Sequence, residues 1–193
     1  NAKKMGKAEW ERRRREAELL LTFAAAVYQL QAREGRHFLH EHPAGAASWK
    51  HPSIAKLRAQ PGVHEVVSHM CAFGMETTNA SGIGRAAAKK PTRFMSSSNA
   101  VLEALSRRCP GDHPHAPLLG GTRARDAAVY PPGLCRAILE GAAEQLRRDD
   151  LAHCNAVRGD RPATETAEVQ AHDAQGRPHD AEDEMTAWAA RPA

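Results

Sequence analysis

No run of about eighteen apolar residues occurs in this 193-residue chain, so no segment reads as a membrane-spanning helix. Asn1 is not followed by a charged and then apolar stretch, so no secretory signal is read at this end. Cysteine is sparse. Cys71, Cys109, Cys135 and Cys154 are spread too widely for a small disulfide-stapled secreted domain. Reduced thiols in an intracellular setting, nucleus or cytoplasm, are the expectation. Eleven histidines are present, yet no HExxH pair occurs, so a metal-dependent hydrolase is the weakest function class. Internal repeats are absent as well. Because the first residue is asparagine, the chain is read as a fragment or processed product with a missing N-terminal part.

What is present is ordinary in bulk: 41% apolar, 26% charged, mean hydropathy −0.58, enough for one domain or one domain plus a tail. Charge is less evenly spread. Residues 149–193 carry ten Asp/Glu against four Lys/Arg, a balance of −6, which leaves +10 for residues 1–148 out of +4 overall. The expected organisation is a basic domain over 1–148 and an acidic, disordered tail or linker over 149–193. A basic body is compatible with nucleic acid.

Apolar spacing predicts a long helix over 7–33, polar at its start and apolar on most faces beyond Ala17. Its "ERRRRE" run reads as a solvated face with i,i+4 pairing such as Glu11–Arg15, or as a set of phosphate contacts. Gly35 closes the helix and "RHFLHEH" follows as a strand, half of a βαβ unit. A short helix is expected from Pro52 to about residue 59, and a strand over 63–69. Residues 74–90 read as an exposed loop and "TRFMS" as a strand. A helix capped by Ser98 then runs over 99–107. Residues 108–128 look irregular, and a final helix opens at the prolines after Tyr130 and runs to about Arg148.

The chemistry-bearing stretch is "FLHEHP", residues 38–43. Strand alternation puts His40 and His42 on one face and Glu41 on the other, which argues against a three-ligand metal cluster. Glu41 is a site candidate at a strand end, or else a structural carboxylate that caps a helix or pairs with an arginine. "CPGDHPH" offers Cys109, His113 and His115, with Cys71 or Cys135 as a fourth ligand. Its C-x3-H-x-H spacing is not a common zinc signature and Pro114 restrains it. The expectation is a polar surface loop without structural zinc.

Five blocks in order, "FLHEHPAGAASW…HP", "CAFGM", "KKPTRFMSSSN", "RCPGDHPH" and "YPPGLCRAI", resemble the later half of the DNA cytosine-5 methyltransferase-like family, over roughly residues 7–148. Similar blocks occur in phage-type methylase-like proteins and protist retroelement polyproteins. The resemblance implies an α/β fold: a partial Rossmann-like methyltransferase domain with a mostly parallel sheet, lacking its N-terminal cofactor-binding strands. It implies that Glu41 holds a flipped cytosine, and that Lys90, Thr92 and Arg93 of "KKPTR" contact base and backbone. A basic strand edge is the plain alternative for that block. The helix from Tyr130 resembles the family's terminal motif, although Leu134, Ile138 and Leu139 are equally explained as core.

S-adenosylmethionine is the implied cofactor of the intact family domain, and DNA the implied partner. Neither the family's glycine-rich strand-to-helix turn nor its Pro-Cys nucleophile occurs in the chain. Both belong upstream of Asn1 by the resemblance, so no cofactor and no methyl transfer are expected of this fragment. Two functional classes therefore stand: an inactive piece of a cytosine methyltransferase-like domain, and a non-enzymatic basic nucleic-acid-binding or scaffold module.

Overall fold

The computed structural model describes residues 6–118 and 123–159. The chain divides into two compact units, Asn1–His153 and Cys154–Ala193, and both described sheets belong to the first. Residues 160–193, most of the predicted acidic tail, lie outside the described residues.

Helix α1, Lys7–Arg33, ends where Gly35 adopts a positive φ of 69°, a conformation that favours glycine. Strand β1 (Leu39–Pro43) leads through a 3₁₀ turn to α2 (Pro52–Arg58), which has proline in its first turn. Strand β2 (His64–His69) runs into a second 3₁₀ turn, Met70–Phe73. The stretch expected to be loop contains a small hairpin, β3 (Glu76–Thr78) and β4 (Arg85–Ala87). Then come β5 (Pro91–Ser96) and α3 (Asn99–Leu105), where Ser98 Oγ accepts from the Val101 amide. A single turn of helix, α4 (Arg123–Asp126), precedes α5 (Pro132–Gly159), which continues past the expected end at Arg148.

The expected mostly parallel, Rossmann-like sheet is not what forms. The main sheet has three strands in the order β1-β5-β2, and β5 is antiparallel to both neighbours. β1 and β2 therefore run the same way but are not adjacent, so the half βαβ unit expected of α1 and β1 gains no parallel neighbour. β5 arrives later in the chain and inserts between them. Local patterns in β1, α2 and β2 carry no information about that insertion.

β5 divides the core. Phe94 packs on one face with Leu102, Leu105 and Leu134, while Met95 packs on the other with Trp49, Ile54 and Leu57. Helices α3 and α5 thus cover one face, and α1 and α2 cover the other. Gly141 lets α5 approach α3 closely, because a Cβ there would lie 2.7 Å from the Val101 Cα. Gln145 reinforces the seam: its Oε1 accepts from the Ser98 hydroxyl at 2.9 Å and from the Ala100 amide at 3.2 Å.

Candidate functional site

β1 is an edge strand, and four consecutive residues of it, Leu39 to His42, line a cleft of about 960 Å³ shared with α1. Alternate side chains of a strand point to opposite faces, so only its open edge can present all four. Trp10, Arg13 and Arg14 from α1, Lys50 from the first 3₁₀ turn, and Tyr130 complete the parts that matter chemically.

The alternation predicted for "FLHEHP" is what the structure contains. On one side the rings of His40 and His42 stack at 5.0 Å, with Trp49 edge-on to His40 at 5.1 Å. His40 Nδ1 lies 3.3 Å from the Tyr28 hydroxyl, and His42 Nδ1 lies 2.6 Å from the Ser48 hydroxyl. His40 is only 5% exposed, and its Nε2 is buried with no partner among the described residues. Burial, followed by the nearby His42, lowers its pKa to about 4, so the ring is neutral at physiological pH.

Glu41 sits on the other side and takes neither of its expected structural partners, a helix end or an arginine. Its Oε2 accepts from the Tyr130 hydroxyl at 2.6 Å, and its Oε1 is buried without a hydrogen bond among the described residues. Desolvation first, and then the bond to Glu41, raise the Tyr130 pKa well above the usual phenol value. Desolvation raises that of Tyr28 too. Neither Tyr28 nor Tyr130 is legible as a site residue: Tyr28 lies in no motif, and Tyr130, although it opens the "YPPGLCRAI" block, is 89 positions from the carboxylate it serves.

Lys90, Thr92 and Arg93 are not gathered around Glu41. The Lys90 ammonium donates to the Ala127 carbonyl at 3.1 Å. Thr92 is fully buried, and its hydroxyl donates to the Lys90 carbonyl at 3.3 Å. Arg93 lies 5.1 Å from the Trp49 ring centre and 3.4 Å from Glu65, which also binds Arg58. The register sets Thr92 and Arg93 opposite Pro43 and His42, one strand in from the edge. In "ERRRRE", Arg12 pairs with Glu9 and Glu16, Arg13 with Glu9, and Arg14 with Glu18, all within the exposed face of α1.

The residues present do not fit S-adenosylmethionine as that family binds it. None of the described strands enters a helix through a glycine-rich turn; β5 reaches α3 through Ser97 and Ser98. Metal-ligand side chains do gather, but away from β1: the ligating atoms of Cys71, Cys109, His113 and His115 all lie within 4.8 Å of one another. Cys135, the other fourth ligand considered, is exposed on α5 and outside that group. No helix among the described residues is long and apolar enough to cross a membrane. Comparison with protein-family models, curated proteins and solved structures finds no match.

Proposed function

We propose that the chain is a non-enzymatic nucleic-acid-binding module that takes an unpaired base of a single strand into the cleft along β1. The observation that carries this reading is Glu41: a carboxylate fixed by Tyr130, with a second oxygen that has no partner among the described residues, at the edge of an open cleft. A buried acceptor left unpaired is costly, and an amino-bearing base edge such as that of cytosine supplies the missing donor. Trp10 and Tyr130, each more than 40% exposed, offer faces for base stacking. Arg13, Arg14 and Lys50 lie along the same cleft and are placed to meet phosphates, for which exposed ion pairs on α1 are weak competitors. The base-holding role suggested for Glu41 by the methyltransferase resemblance is kept here. The methyl-transfer role is not, because the family's glycine-rich strand-to-helix turn and Pro-Cys nucleophile do not occur in the chain.

Fluorescence anisotropy with labelled oligo-dC and oligo-dT strands tests the reading. Binding at about 50 mM salt that weakens steeply as salt rises, with a preference for dC that Glu41→Gln abolishes, is expected. Absence of binding at low salt, or an unchanged base preference in Glu41→Gln, would sink it.

A further inference from the structure

The loop after α3 has little regular structure, with no strand or helix between Ser106 and Pro117, yet it is held in a defined path. Part of what holds it is visible. The Cys109 amide donates to His69 Nδ1 at 3.0 Å, and the Ala116 amide donates to the Ala87 carbonyl at 2.8 Å beside an isolated bridge from Ala87 to His115. These bonds tie the loop to the end of β2 and to β4. Between them, Cys109, His113 and His115 turn inward onto Cys71 of the second 3₁₀ turn.

We propose that these four side chains form a structural Zn²⁺ site, with two thiolates and two neutral imidazoles as ligands. A tetrahedral zinc with Zn–S near 2.3 Å and Zn–N near 2.0 Å separates sulfur from nitrogen by about 3.5 Å. Cys109 Sγ lies 3.6 Å from His113 Nε2 and 3.3 Å from His115 Nε2, either side of the edge length such an ion requires. Cys71 Sγ lies within 4.8 Å of each of the other three ligating atoms, so the fourth vertex is close as well.

The surroundings point the same way. Asp112 Oδ1 lies 2.7 Å from His113 Nδ1, which fixes that ring and leaves Nε2 turned toward Cys109. A carboxylate behind a histidine ligand is the usual outer-shell arrangement of a zinc site. The Gly111 amide donates to Cys109 Sγ at 3.3 Å, a bond that becomes stronger when the sulfur is a thiolate. Two sulfurs and two nitrogens in a tetrahedron select zinc over harder divalent ions. Four protein ligands leave no open position, so the ion is structural and joins the second 3₁₀ turn to the loop. A small domain with limited core gains most from such a staple.

The test is metal analysis of the full chain purified without chelator, together with cobalt substitution. About one zinc per chain is expected, and the cobalt form should show the visible bands of a tetrahedral ion with thiolate-to-metal charge transfer. Cys71→His and Cys109→His keep four ligands but should each halve the charge-transfer band. Cys109→Ser and His115→Ala should lose the metal, whereas Cys135→Ser and Cys154→Ser should retain it. Folded wild-type protein that takes up neither zinc nor cobalt would overturn the proposal. So would undiminished charge transfer in both histidine variants, or a native Cys71–Cys109 disulfide.

Discussion

The Tyr130 hydroxyl donates to Oε2 of Glu41 at 2.6 Å, tying the strand-edge carboxylate to the segment that leads into α5. Burial and this bond both raise the phenol pKa, and burial raises that of Tyr28. Because the folded values are raised, their contribution to stability is complete below about pH 10 and is lost as pH rises beyond it. Ultraviolet titration of the native protein should therefore show neither of its two tyrosines half-ionised at pH 10. Tyr130→Phe should leave only the Tyr28 step and lower the unfolding free energy by about 1 kcal/mol.

His40 sets an acid limit. Its folded pKa of about 4 lies below the unfolded value, so its stabilising effect is present above about pH 6.5 and lost as pH falls toward 4. The slope from this one group is about 1.4 kcal/mol per pH unit within that window. Denaturant unfolding at pH 7, 6 and 5 should show a steeper fall in the wild type than in His40→Gln, whatever the absolute stability of the variant. Parallel curves would rule out His40 as the source.

Gly141→Ala distinguishes tight from loose packing by sign. Alanine improves helix propensity by about 1 kcal/mol relative to glycine. A Cβ here, however, would lie 2.7 Å from the Val101 Cα and 3.0 Å from the Ala100 carbonyl oxygen. Net destabilisation of roughly 1–3 kcal/mol is expected, read as a lower denaturation midpoint. A gain in stability would mean that α5 and α3 do not approach so closely.

Arg93→Ala should act on stability more than on recognition. The guanidinium stacks on Trp49 and bridges to Glu65, and neither contact faces the β1 cleft. A loss of roughly 1–2 kcal/mol is expected, with oligonucleotide affinity for the folded protein nearly unchanged. A large affinity loss at unchanged stability would return Arg93 to the binding surface.

Much of the local structure was legible because it is set by short-range rules. The 7–33 helix, the proline-led starts of α2 and α5, the Ser98 cap and the strand at "TRFMS" all follow from spacing and terminal residues. The β3–β4 hairpin was missed because three-residue strands rich in Ala and Thr give too short a pattern to read. Strand alternation was also enough to separate Glu41 from His40 and His42.

The sequence by itself determined the longer helices and the three strands of the main sheet, which face of β1 carries each polar residue, and that the first 148 residues are basic. Only the tertiary structure decided the sheet's direction. Insertion of β5 between β1 and β2 is a pairing of distant segments, and no local periodicity encodes it. The partners of Glu41 and the meeting of Cys71 with Cys109, His113 and His115 were decided the same way, by packing that joins parts of the chain far apart in sequence.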